Sequence, residues 1–303
     1  MNVTADTLPA PDLAALARAL GPLAPTFCIR WVEACESTNS ALLAAPPDDD
    51  GRTHVLVATR QSAGRGRRGR QWLAWPGASL TFSVLWRFVA GGRASAGLSL
   101  VVGLALARTL EELGVAGVAL KWPNDVLVHG AKIAGILVEL LPERGGVQAV
   151  VIGIGLNVCL PGGVDIPGQK GGITDLALEM QNPPSREMLL AAILAALQPM
   201  LTTYARAGFA PLRSAWQQRN AFANLPVCIG GEGGERNGGG ERDERDERDK
   251  RDKRDKRGEG SKESQSRIAG VCLGVAEDGA LLVRTDAGLC RILAGEVSLR
   301  PAS

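Results

Sequence analysis

Lys121-Trp122-Pro123-Asn124-Asp125-Val126-Leu127-Val128-His129-Gly130-Ala131-Lys132-Ile133-Ala134-Gly135-Ile136-Leu137-Val138-Glu139 decides how the rest of the chain is read. A short strand pattern, Val118 to Lys121, stops at Trp122-Pro123, because proline cannot donate to a ladder. Asp125 to Val128 and Ala131 to Leu141 are apolar strand runs joined by His129-Gly130, the spacing of a two-residue hairpin. Strand alternation then puts Lys132, Ala134, Ile136 and Val138 on one face and Gly135, Leu137 and Glu139 on the other. A lysine opening a buried strand either snorkels or stabilises developing negative charge. Asn124-Asp125 either caps a turn or forms a polar pair, with Asp125 as a base toward an amine and Asn124 orienting it.

Outward from this hairpin, Val147 to Val158 reads as its next strand and carries Gly153, Gly155 and Asn157. Glycines inside a strand weaken it unless something approaches its backbone; a β-bulge is the structural alternative. Asn157 offers a donor and an acceptor, enough to read an adenine edge. Upstream, Phe27–Glu33, His54–Ala58 and Ser79–Arg87 read as strands. Helices are expected from the Asp12 cap to Leu20, after Ser37-Thr38-Asn39 (Ala41–Ala45), at Ala94–Leu113, and downstream at Ile173–Met180, Arg186–Arg206 and Phe209–Asn220. Beyond Pro226 the pattern becomes short strands with glycine turns, a small all-β unit.

Gly64-Arg65-Gly66-Arg67-Arg68-Gly69-Arg70 follows a buried strand, where α/β proteins place nucleotide sites. Four arginines and three glycines in seven residues form either an anion cradle, with backbone amides turned inward as a nest, or a solvated or nucleic-acid-binding basic loop.

Composition narrows the chemistry. The 303 residues carry 34 basic and 32 acidic side chains, a net charge of +2, with 45% hydrophobic residues. That length suggests two domains, and the balance gives no global reason for a nucleic-acid or membrane partner. The charges are uneven: residues 231–266 hold twelve acids and eleven bases in a triplet-repeat pattern without one aliphatic or aromatic side chain, so a solvated insert in a hairpin loop is expected there. Six dispersed cysteines and no export signal point to reduced thiols in the cytoplasm. With only His54 and His129, a multi-histidine metal site is excluded and no metal-ligating set is assigned.

Glu36-Ser37-Thr38-Asn39, the arginine loop, Lys121–Asp125, Lys132–Glu139 and Gly153–Asn157, in this order, resemble the catalytic domain of biotin–protein ligases, and the tail resembles their SH3-like C-terminal domain. The resemblance implies an α+β fold of the class II aminoacyl-tRNA synthetase and biotin ligase kind, a mixed sheet flanked by helices, plus a small SH3-like β-barrel. The expected division is an N-terminal extension (1–26), a catalytic domain (27–222) and a C-terminal domain (223–303) interrupted at 231–266. It implies a biotin–[acetyl-CoA-carboxylase] ligase that uses biotin and ATP with Mg²⁺ to make biotinyl-5′-AMP and pass biotin to a lysine of a biotin carboxyl carrier domain. Ser37, Thr38, Asn39 and Gln61 would hold the biotin head. Gly64, Arg65, Trp72, Lys132, Gly135, Leu137, Gly153 and Gly155 would complete its pocket. Arg65, Arg67, Arg68, Arg70, Lys121, Asn124, Lys132 and Asn157 would bind ATP and the adenylate, with Arg67, Lys132 and Asp125 catalytic. Only 26 residues precede Phe27, so DNA binding is not expected, nor is a membrane partner, while the family allows a homodimer. A lipoate or other acyl-cofactor ligase and a non-enzymatic nucleic-acid-binding protein are the alternatives. The Cys159–Gly172 loop has no aromatic to cover the adenine.

Overall fold

Helices begin where the sequence supplies caps. Asp12 accepts from Ala15 N at 2.8 Å, Ser37 from Ser40 N at 3.4 Å and Ser185 from Met188 N at 3.3 Å, each satisfying an amide that the first turn leaves unpaired. The computed structural model describes residues 10–88, 97–143, 145–162, 172–230, 268–293 and 298–301. In chain order its elements are α1 (Leu13–Leu20), β1 (Phe27–Cys35), α2 (Thr38–Ala44), β2 (Thr53–Gln61), β3 (Ser79–Arg87), α3 (Leu98–Glu112), β4 (Val118–Lys121), β5 (Asp125–Val128), β6 (Ala131–Leu140), β7 (Ala149–Asn157), α4 (Leu176–Glu179), α5 (Arg186–Ala207) and α6 (Arg213–Gln217). The small unit adds β8 (Pro226–Gly230), β9 (Ile268–Val275), β10 (Leu281–Thr285), β11 (Gly288–Ile292) and β12 (Ser298–Pro301).

The large sheet runs β1-β2-β3-β7-β6-β5-β4. β1 and β2 are parallel and every other pair is antiparallel, so the sheet is mixed, as expected. One face buries Phe82, Val84, Ile152, Ile154, Ile136 and Val126 in the main core, under α3 and α5. The other face carries α2, over a small cluster of Leu42, Leu56, Leu85 and Val151, and the polar residues that matter below. α5 is long and apolar enough to cross a membrane by length and composition. Here Leu189, Leu190, Ile193, Leu194, Leu197 and Leu201 are buried, and the helix packs against α1 and α3. At roughly 1.5–3 kcal/mol for each fully buried leucine, that face is a substantial part of the core's stabilisation.

The hairpin between β5 and β6 forms as read. His129 and Gly130 both have positive φ (49° and 84°), the turn whose twist suits antiparallel strands. The alternation expected for β6 does not hold. Leu127 pairs with Lys132 and Val126 with Ala134, leaving Ile133 as an extra residue. This bulge turns Lys132 onto the face of Asp125, Gly135 and Leu137, away from Ala134 and Ile136.

Two helices differ from expectation. The Ile173–Met180 run shortens to α4 because Ile173 bridges Lys132 and Thr174 N donates to Lys132 O at 3.0 Å. Phe209–Asn220 becomes a 3-10 turn, Ala210–Leu212, followed by α6. The start of the Ala94–Leu113 run, the 231–266 insert and most of the Cys159–Gly172 loop lie outside the described residues. The residues flanking the insert are neighbours, since Ile229 pairs with Ile268.

The small sheet is antiparallel, in the order β11-β10-β9-β8-β12, as expected for an SH3-like unit. Its Val227, Ile229, Cys272, Val275, Leu281 and Val283 belong to the same buried cluster as the large sheet. Arg213 Nε donates to Val275 O at 2.6 Å, Gln217 exchanges hydrogen bonds with Leu273 O and Val275 N, and the buried Trp122 donates from Nε1 to Gly279 O at 3.1 Å. All six cysteines are free thiols.

Candidate active site

The polar face of the large sheet is floored by glycines. Gly135 on β6 and Gly155 on β7 are directly opposite each other, as are Leu137 and Gly153. A Cβ on Gly155 would overlap the Trp72 indole, one on Gly135 would press on that ring and on the Lys132 side chain, and one on Gly153 would overlap the Asn39 carboxamide. These glycines are therefore explained by close approach of side chains to the sheet backbone, and β7 keeps regular register through them.

At one end of this floor lies a chain of neutral polar groups. Thr38 N donates to Gln61 Oε1 at 2.7 Å, and Thr38 Oγ1 is 3.2 Å from the same oxygen. Ser83 Oγ lies 2.6 Å from both Thr38 Oγ1 and Asn39 Oδ1. Asn39 Nδ2 donates to Glu139 Oε2 at 2.9 Å and to Leu137 O at 3.3 Å. Ser37, Thr38, Asn39 and Ser83 are all buried. Ser37 spends an oxygen lone pair on its cap and keeps its proton for another acceptor.

Charges gather in two places, Arg65 with Glu139 beside Asn39 and Arg67 with Lys132 at the Asn124–Asp125 end. The arginine loop is a miniature ladder: Trp72 N donates to Gly64 O (2.9 Å), Gly66 N to Arg70 O (2.7 Å), and Arg65 bridges Gln71. Its tip carries Arg68 at φ 61° and Gly69 at φ 70°. The amides of Gly66, Arg70 and Trp72 are thus used within the loop, and its fixed positive charge comes from guanidinium groups. Arg65 makes a bidentate pair with Glu139 (2.8 and 3.2 Å) and reaches Ser40 Oγ at 3.4 Å. Arg67 Nη1 donates to Asn124 Oδ1 at 3.1 Å, and Asn124 is itself fixed by Ile136 O and Ile136 N. Burial, then the neighbouring Arg68 charge, pushes the Arg67 guanidinium below its ordinary value, with Asp125 opposing. Arg68 and Arg70 are exposed at the loop tip.

Lys132, brought onto this face by the bulge, pairs with Asp125 at 2.7 Å, both side chains being under one-fifth exposed. Its ammonium is also 5.7 Å from the Trp72 ring centroid, within cation–π range. Lys121 stands opposite Asp125 in the β4–β5 pair. Asn157 departs from expectation: both Nδ2 protons are committed, to Thr174 O at 3.0 Å and Lys132 O at 3.5 Å, so only its Oδ1 remains to meet a ligand. Among the described residues no three His, Cys, Asp or Glu side chains group to hold a metal ion.

Motif reading missed Glu139 and Ser83 as parts of this network. A signal existed for Glu139, a carboxylate inside an otherwise apolar strand and on the face shared with Gly135.

A mixed sheet that sets three cations beside a glycine floor, with a neutral hydrogen-bonding pocket beyond it, is the framework of an acid-activating ligase. Residues 33–157 match the Biotin/lipoate A/B protein ligase family, and residues 265–300 match the Biotin protein ligase C terminal domain. The bifunctional ligase/repressor BirA of Escherichia coli is 35% identical over 248 residues, covering 82% of this chain and 67% of that protein. The biotin–[acetyl-CoA-carboxylase] ligase of Paracoccus denitrificans is 39% identical over 208 residues, covering 63% of this chain and 80% of the relative. The biotin protein ligase of Aquifex aeolicus, solved in complex with biotin and ATP, superposes with a TM-score of 0.68 at 27% identity, covering 90% of this chain and 99% of that one. The chain belongs to the biotin protein ligase family.

Proposed function

We propose that this chain is a biotin–[acetyl-CoA-carboxylase] ligase that joins biotin to ATP and then passes the biotinyl group to a lysine of a biotin carboxyl carrier domain. One observation carries this reading. Arg67 and Lys132 flank the Asn124–Asp125 end of the glycine floor, while Thr38, Asn39 and Gln61, with Arg65 on Glu139 beside them, line the other, so an acid with a neutral polar head spans the two.

The first step brings a carboxylate against an α-phosphate, two anions that repel. The biotin carboxylate oxygen forms a bond to the α-phosphorus, and the bond to the bridging oxygen of the β-phosphate breaks, giving biotinyl-5′-AMP and pyrophosphate. Arg65, Arg67 and Lys132 offset the repulsion and the charge that develops. Thr38 and Gln61 hold the ureido head, Trp72 and the Gly135–Gly155 floor hold the ring and chain, and Asn157 Oδ1 accepts from the adenine amine. In the second step the neutral amine of the acceptor lysine attacks the acyl carbon, AMP leaves, and the amine's proton is lost. Asp125 is the group to orient that amine. It is held by Lys132 in the free protein, so its release accompanies the turning of Lys132 toward the anionic substrate.

Mg²⁺ enters this reading as part of the MgATP substrate, on phosphate oxygens. Biotin is favoured over lipoate because a dithiolane ring offers no polar group to Thr38 or Gln61. Arg65 and Arg67 are turned onto Glu139 and Asn124, which favours a small-molecule site over a DNA surface. The proposal places the enzyme in the cytoplasm with a carrier domain of acetyl-CoA carboxylase or a related carboxylase as partner. Of the sheet's two edge strands, β4 is bonded to the segment around Arg219 and Ala221, which leaves β1 as the edge for a homodimer.

The test is pyrophosphate release from ATP with biotin or lipoate as the acid. Release with biotin alone is expected; release with lipoate and none with biotin would overturn the reading.

A further inference from the structure

Glu139 ties Arg65 to the Asn39 end of the site, and the direction of the hydrogen bonds it starts can be worked out from which groups own protons. An ionised carboxylate only accepts. Asn39 must therefore turn its nitrogen toward Glu139 Oε2 and Leu137 O, which uses both Nδ2 protons. Its Oδ1, which only accepts, is left facing Ser83 Oγ at 2.6 Å, so the single Ser83 proton goes there. Ser83 then has none for Thr38, and the 2.6 Å contact between the two hydroxyls must be donated by Thr38. Gln61 Oε1 already accepts from Thr38 N and is the more distant partner of the Thr38 hydroxyl, at 3.2 Å. The Thr38 proton is spent on Ser83, and its oxygen lone pairs remain. Ser83, Asn39 and Thr38 are between 0% and 4% exposed, so solvent does not offer an alternative arrangement.

We infer that Glu139, anchored by its bidentate pair with Arg65, is a positioning residue that fixes this proton order and so presents the Thr38 hydroxyl to the ligand as an acceptor. The group it selects is an N–H donor, here one ureido N–H of the substrate head, which makes the inference rest on the function proposed above. Glu139 does not touch the ligand; it acts through Asn39, Ser83 and Thr38.

Glu139→Gln keeps the shape but supplies both a donor and an acceptor, so the order is no longer enforced. In the full-length protein, with pyrophosphate release as readout, Glu139→Gln should raise KM for biotin at least tenfold while kcat changes less than threefold, the pattern of lost uniform binding. In a Thr38→Val background the same substitution should raise KM less than twofold, because the hydroxyl it orients is gone. Ser83→Ala, which leaves the Arg65 pair in place, should raise KM similarly and add little to Glu139→Gln. A Glu139→Gln KM within twofold of the unsubstituted protein, or an increase of equal size in the Thr38→Val background, would overturn the inference. Should Glu139→Gln not fold, Ser83→Ala in the presence and absence of the Thr38 hydroxyl decides by the same criterion. Failure of the unsubstituted protein to release pyrophosphate with biotin would instead sink the functional reading.

Discussion

The two ends of the site are held together by different physics. At the Thr38–Asn39 end Thr38, Ser83 and Asn39 are neutral, buried and mutually hydrogen-bonded, and Asn39 is tied in turn to the Glu139 carboxylate, through contacts of 2.6 to 3.3 Å. At the Lys132–Asp125 end the groups are charged: Lys132 is paired with Asp125, which a substrate anion would displace, and Arg67 is held by Asn124. A neutral buried network is costly to rearrange, because an unpaired member loses its full desolvation cost of ~1–3 kcal/mol. The Lys132–Asp125 pair, under one-fifth exposed, is costly to break unless another charge replaces the partner, and a substrate anion supplies one. The first end keeps a shape; the second keeps charge in reserve.

That contrast can be broken by substitution. The largest expected effect is at the charged end: Lys132→Ala should slow adenylate formation more than tenfold, above about 1.4 kcal/mol of barrier. Single-turnover formation of adenylate measures this, and a near-normal rate would remove Lys132 from the chemistry. On the floor between the two ends, Gly155→Ala sets a methyl group against the Trp72 ring, an overpacking that costs about 1–3 kcal/mol. It should raise the biotin KM severalfold with kcat less affected; an unchanged KM would separate Trp72 from the acid pocket. The smallest effect is expected for Arg67→Ala, whose partner Asn124 stays fixed by the β6 backbone. Adenylate bound to the protein should leave a few-fold faster, as followed by its retention through rapid gel filtration, and unaltered retention would reject a holding role.

Much of this architecture was legible from periodicity. β3 and β5 are found at the residues where alternation or apolar runs put them, and His129-Gly130 makes the expected turn, because side-chain period and turn chemistry are local properties. The contacts across the sheet were not. Nothing in the composition of Lys132–Gly135 marks the extra residue at Ile133, so the face of Lys132 was assigned wrongly. Ser83 looked like an ordinary polar strand residue until its neighbours on α2 and β6 were known. Trp122 reads as a core filler and is one, fully buried, but its indole N–H also reaches across 157 residues to Gly279, which no local pattern foretells. That bond and the shared core put the small sheet beside the Lys121–Asp125 segment.

The bulge has a further consequence for how this protein can change. β6 delivers Lys132 to the site by being one residue longer than its partner requires. Substituting Ile133 for another apolar residue leaves the lysine where it is. Straightening the strand with Ile133 kept in the ladder would carry the ammonium into the layer of Ala134 and Ile136, both almost wholly buried, whereas removing Ile133 together with the bulge leaves Lys132 opposite Leu127 on the face of Asp125. What this segment must keep is the pairing of Lys132 with Leu127, and any residue inserted or lost beyond it is tolerated only where that pairing survives.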